Sequence, residues 1–166
     1  MPNTEEGTRH YSKAVLHGLP ACQIGSINRV LLTAARLAGR IPKFCKVTEY
    51  IRDELHWLPY LHRITYRISA LVRRCIEGLS PPYLRELCCF TAHVQRRCYL
   101  CSAAQAELIV PCSRTTTRQH FSVAGPATWN GLPPTLLQIP VDHSTSFPSA
   151  LKTVMFDRGW AGSASA

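Results

Sequence analysis

At 166 residues the chain has the size of one ordinary domain, enough to bury a real core but not several. Nineteen Lys and Arg against ten Asp and Glu leave a net charge of +9 and a pI near 9.4, a balance that favours polyanions, nucleic acid before anionic membrane. No run of about 18 apolar residues occurs, so no membrane span is expected.

The N-terminal residues, with Glu5 and Glu6, resemble neither a secretory signal nor a transit peptide, and the expected location is intracellular, in the nucleus or cytoplasm. Residues 1–17 read as a mobile tail. From Ile24 a helical face follows through Ile27, Val30, Leu31, Ala34, Ala35 and Ala38, with Arg29 and Arg36 outside it. Gly39 is the expected terminator, and Pro42 prevents resumption. Thr48 is positioned to cap a short helix carrying Glu49, Tyr50, Ile51 and Leu55.

Leu55-His56-Trp57-Leu58-Pro59 then launches the strongest periodic segment. Pro59 suits a first helical position. Leu61, Ile64, Ile68, Leu71, Val72, Cys75 and Ile76 recur at three- and four-residue steps, with Arg63, Arg67, Arg73 and Arg74 off the stripe. Gly78 offers a left-handed end, and Pro81-Pro82 stops the helix. The fold expected is mainly α, about five helices around this central basic helix between Tyr60 and Glu77.

Downstream, Tyr83, Leu84 and Leu87 make a turn or two of helix, and Thr91 to Gln105 reads as loop. Leu108, Ile109 and Val110 form a β-prone run. Phe121 and Val123 alternate across the Thr-rich turn at 115–117, so a small β-hairpin is expected between Glu107 and Ala124. Gly125-Pro126 should break it, leaving one helical turn through Trp129. Ser144 to Ser146 offer caps for a last helix over Phe147 to Phe156, and residues 157–166 read as a disordered tail. Residues 18–156 are expected to form a single domain.

Three ordered blocks carry a family resemblance. The first is Leu55-His56-Trp57-Leu58-Pro59, Arg63-Ile64-Thr65-Tyr66-Arg67, Cys75 and Gly78-Leu79-Ser80-Pro81-Pro82-Tyr83-Leu84. The second is Phe121-Ser122-Val123-Ala124-Gly125-Pro126 with Trp129-Asn130-Gly131-Leu132-Pro133. The third is Ser146-Phe147, Leu151-Lys152-Thr153 and Phe156. Together they resemble the C-terminal region, downstream of the palm, of non-LTR (LINE-type) retrotransposon reverse transcriptases, with weaker similarity back to Gly18-Leu19-Pro20. The resemblance implies a position beside template RNA, with the rest of a reverse transcriptase as a partner if one is encoded upstream. Thr117 and Gln119 stand where the family usually has Gly and Arg, and Ala127-Thr128 where it has a basic–hydrophobic pair. These departures suit a relic no longer held to function, or an expressed open reading frame derived from one.

Catalysis finds no inventory. A polymerase needs paired carboxylates on two metals, and Asp53, Asp142 and Asp157 are far apart in sequence, with no Tyr-x-Asp-Asp. Asp53-Glu54 reads as a solvated face, and His56 as a packed histidine with a backbone partner. Cys89, Cys98, Cys101 and Cys112 offer one set of thiolates for zinc, but a single CxxC argues for reduced, unligated thiols, so no metal or cofactor is expected. The expected function is a non-catalytic nucleic-acid-binding module derived from an RNA-directed DNA polymerase. Its contacts to RNA or DNA would come from Arg29, Arg36, Arg40, Lys43, Lys46, Arg63, Arg67, Arg73 and Arg74, with Tyr60, Tyr66 and Tyr99 stacking on bases. The competing expectation is a retroelement relic or protein-interaction domain without selected activity.

Overall fold

The structure, a computed structural model, describes residues 19–93, 106–112, 120–140 and 146–161. The expected tail over 1–17, the loop around Arg96, Arg97 and Tyr99, the turn at 115–117 and the residues after 161 lie outside these. The described residues are mainly helical: α1 (Ala21–Gly39), α2 (Thr48–Asp53), α3 (Tyr60–Ile76), α4 (Pro82–Arg85), a 3-10 turn at Thr91–His93, α5 (Phe121–Asn130), α6 (Pro134–Leu137) and α7 (Ser146–Trp160). They fall into two compact units rather than around one central helix. One takes the described residues of Leu19–Arg63 and Thr153–Ala166, the other those of Ile64–Lys152.

In the first unit Ala35, Val47 and Ile51 are buried, with Leu32, Ile41, Leu55, Trp57 and Trp160 packed against them. The apolar face of α1 is therefore turned from the expected one: Ala35 is sealed, whereas Val30 is 67 % exposed. Gly39 also acts differently from expectation. It is the last helical residue, and Arg40, at φ 50°, takes the left-handed position. The Arg40 N–H donates to the Leu37 carbonyl at 3.4 Å and the Ile41 N–H to the Arg36 carbonyl at 3.0 Å, the paired bonds of a Schellman motif. The glycine serves packing instead, because a Cβ at 39 would lie 2.7 Å from Tyr50 Cε1. Thr48 does not cap α2; Val47 holds that position without a side-chain bond. Pro59 likewise precedes α3, its carbonyl accepting the Arg63 N–H at 3.0 Å.

In the second unit the α3 stripe is buried at Ile64, Ile68, Leu71, Val72 and Cys75. Gly78, at φ 77°, closes this helix with the same Schellman pair, Leu79 N–H to Arg74 O at 2.9 Å and Gly78 N–H to Cys75 O at 3.2 Å. Arg73 departs from the expected basic surface. Its side chain is 5 % exposed and its Nε donates to Glu77 Oε1 at 2.7 Å. Nη1 and Nη2 donate to the carbonyls of Ile139 at 2.8 Å and Pro140 at 2.6 Å, and the guanidinium lies 5.0 Å over the Phe147 ring. All of its fork is spent on internal carbonyls and one carboxylate.

Among the described residues the expected hairpin does not form. Residues 121–124 are helical, and Leu108 makes a single antiparallel bridge with Phe90. Helix α5 runs through Gly125 and Pro126 instead of breaking. Burying Phe121, Val123 and Trp129 is worth about 2 kcal/mol each, which outweighs the roughly 3 kcal/mol of an interior proline. The absent side chain at Gly125 lets the Phe121 ring and Val72 approach to where a Cβ would meet them at 3.1 and 3.3 Å. Trp129 packs on Phe147 with ring centroids 5.8 Å apart and donates from Nε1 to the Ala106 carbonyl at 3.1 Å. Asn130 accepts the Leu108 N–H at 2.9 Å and donates back to the Leu108 carbonyl at 2.8 Å. Finally, α7 continues to Trp160, so residues 157–160, expected in a disordered tail, are helical.

Candidate nucleic-acid interface

The nine cations singled out from the sequence divide between the units. Arg67, Arg73 and Arg74 belong to the Ile64–Lys152 unit, where Arg67 is exposed, Arg74 half-buried and Arg73 sealed. Arg29, Arg36, Arg40, Lys43, Lys46 and Arg63 belong to the other. That unit's described residues carry eight basic and four acidic side chains, a net of +4.

Within it, two of the six are committed internally. Arg63 is half-buried, its Nε donating to the Leu58 carbonyl at 2.8 Å and its guanidinium lying 5.1 Å over Trp57. Arg36 is half-buried with its Nε sealed, while Arg29 and Arg40 are exposed. Arg29 and Arg36, seven residues apart on α1, project to the same side of that helix.

Arg40, Lys43 and Lys46 share the connection between α1 and α2, and local structure explains why they face water. Ile41 packs against the Ala35–Ile51 cluster and Val47 is 3 % exposed within it, so both ends of the segment are anchored. Between the anchors Pro42 fixes its own φ, and the Cys45 N–H donates to the Pro42 carbonyl at 3.1 Å, closing a four-residue turn. Lys43 and Phe44 occupy the tip. Phe44 is 95 % exposed, and Lys43 Nζ stands 6.0 Å from its ring centroid. Among the described residues no ion pair involves Arg29, Arg40, Lys43 or Lys46. The two lysines stand out in the sequence and Phe44 does not; the signal for Phe44 is a large apolar residue between lysines in a proline turn, where no core takes it.

The aromatic residues named for stacking are placed elsewhere. Tyr66 is half-buried, and Tyr60 lines an apolar pocket of about 250 Å³ with Leu31, Ile51, Trp57, Arg63 and Trp160. Tyr99 lies outside the described residues. His56 is exposed at φ 49°, its Nδ1 3.2 Å from the Glu54 carbonyl.

Of the acidic pair, Asp53 is held by Arg52 at 2.6 and 2.9 Å, and that hydrogen bond keeps its carboxyl below the usual carboxylate range. Cys89 and Cys112 are exposed, whereas Cys98 and Cys101 are not among the described residues. No cluster of three or more His, Cys, Asp or Glu poised around a metal occurs among the described residues, and no helix there is long and apolar enough to cross a membrane. Scans against protein-family models, curated proteins and solved structures return no match to this chain.

Proposed function

We propose that the chain is a non-catalytic nucleic-acid-binding module, related by its resemblance to the region downstream of the palm in non-LTR retrotransposon reverse transcriptases. The observation that carries this reading is the anchored segment from Arg40 to Lys46, which holds three cations in water on a short, fixed connection. Pinning matters, because cations on a mobile segment lose more entropy when they settle on phosphates. Arg29, exposed on the adjoining helix, extends the positive surface. Arg73 takes no part, since moving it outward would strand the Glu77 carboxylate in the interior. Arg36 and Arg63 contribute to the field rather than to direct contacts.

The test is fluorescence anisotropy of labelled RNA and DNA across a salt series. Each phosphate neutralised steepens the dependence of log K on log salt by about 0.9 for duplex DNA and about 0.7 for single strands. Lys43→Glu with Lys46→Glu should lower affinity and flatten the slope by about two contacts' worth. Both side chains are exposed, so the fold should survive the change. Binding that is unmeasurable at low salt, or indifferent to this double substitution, would overturn the reading.

A further inference from the structure

We propose that Phe44 is a base-stacking platform, which makes single-stranded nucleic acid with unpaired bases the preferred ligand of this surface. The inference rests on the nucleic-acid reading above and adds the form of the strand.

A single exposed apolar side chain is ordinary on a protein surface. The setting of Phe44 is what separates it from that background. The ring is almost wholly in water at the tip of a closed turn. It is presented by a segment anchored through Ile41 and Val47. Lys43 and Lys46 flank it and Arg40 precedes it, so a stacked base would bring its phosphates among three cations. Proteins that hold single strands combine these two elements, a positive track for the backbone and an aromatic face for the bases. Duplex DNA offers the phosphates but keeps its base faces inside the stack, leaving nothing for Phe44 to cover. The two half-buried tyrosines, Tyr60 and Tyr66, present no comparable free ring.

A lipid surface would also accept a ring among lysines. Interfacial binding, however, draws on a broad apolar face. Here the turn presents one ring, Ile41 is turned into the core, and the exposed Val30 and Leu37 lie two turns apart along α1 instead of beside it in the turn. Single-stranded nucleic acid fits the arrangement better.

The experiment compares the full chain with Phe44→Ala and Phe44→Trp. The probes are a fluorescein-labelled oligothymidine of about a dozen nucleotides, a duplex of the same length, and phosphatidylserine vesicles. Stacking predicts that Phe44→Ala weakens single-strand binding about fivefold or more, leaves duplex binding unchanged, and that Phe44→Trp restores affinity. Equal losses on both nucleic acids, or no loss on either, would overturn the platform while leaving the polyanion reading intact. So would vesicle binding that depends on Phe44 when single-strand binding does not. If the wild-type chain binds neither nucleic acid, the broader reading fails and this one with it. Because Phe44 touches no core residue, circular dichroism melts of the variants should superimpose on the wild type.

Discussion

Arg73, in the last turn of α3, and Glu77, the residue just past its end, form an ion pair at 2.7 Å, with 5 % and 7 % of their side chains exposed. A pair this buried contributes little net stability over an apolar substitute, but removing one partner leaves the other charged and stranded. Arg73→Ala should therefore cost about 3–5 kcal/mol, read from urea unfolding. Arg73→Lys should recover little, since a single ammonium cannot serve Glu77 and the carbonyls of Ile139 and Pro140 together. Retention of near wild-type stability in Arg73→Ala would mean that this network is not formed in solution.

The end of α1 gives two substitutions of opposite sign. Arg40 bears the left-handed conformation that Gly78 bears at the end of α3, so Arg40→Gly should stabilise by about 0.5–1 kcal/mol. The same change should weaken nucleic-acid binding by removing a cation. Gly39→Ala should destabilise by about 1 kcal/mol or more, because the added methyl meets the Tyr50 ring. In a Tyr50→Ala background that penalty should shrink to what Ile41 Cδ1, 3.1 Å from the added methyl, still imposes, and a double-mutant cycle measures the difference.

His62 supplies a pH dependence. Burial first, and Arg158 second, push its imidazole below the ordinary histidine range, and its Nδ1 is sealed without a hydrogen-bond partner among the described residues. The folded chain thus resists a proton that the unfolded chain accepts near pH 6.5. Stability on this account is full above that value and declines as pH falls through it, because the unfolded state binds more protons. Thermal melts from about pH 7.5 to about 5.5 should show a steeper loss for wild type than for His62→Gln.

The thiols should sort by environment. Cys75 is 4 % exposed and Cys88 9 %. A hydrogen bond between them, followed by burial, pushes the Cys88 thiol far up. Alkylation followed by peptide mapping should modify Cys22, Cys45, Cys89 and Cys112 in the native protein, and Cys75 and Cys88 only after unfolding. Bound single-stranded DNA should slow alkylation of Cys45 alone among the exposed four, since it adjoins Phe44.

Much of the helical frame could be read from residue spacing. Ile64, Ile68 and Leu71 keep a helix period and are buried, and Gly78 ends the helix as its conformational freedom suggests. Helix α5 could not be read that way. Phe121, Val123, Ala124, Gly125, Pro126 and Trp129 are all buried, and a helix sealed on most of its circumference leaves no stripe, only an alternation that mimics a strand. The misreading of Arg73 has a different origin. Its acceptors at Ile139 and Pro140 lie more than sixty residues away, and charge counted locally cannot reveal a partner supplied by the tertiary fold. The exposure of Lys43 and Lys46 was legible because a lysine beside a proline turn keeps its ammonium in water. That of Phe44 was not, since apolar character alone suggests burial.

The hold that Asn130 keeps on Leu108 bears on self-association. One side of residues 107–109 is bonded to the 89–91 segment, through Thr91 N–H to Glu107 O and Ile109 N–H to Cys89 O. The other side, where Leu108 would otherwise offer its N–H and carbonyl to a passing chain, is filled by a side-chain amide. A stretch with Leu108-Ile109-Val110 at its heart is the kind of sequence that templates intermolecular β pairing. Here the amide of Asn130 acts as a gatekeeper, and replacing it with Leu would expose a sticky backbone edge as well as loosening the fold.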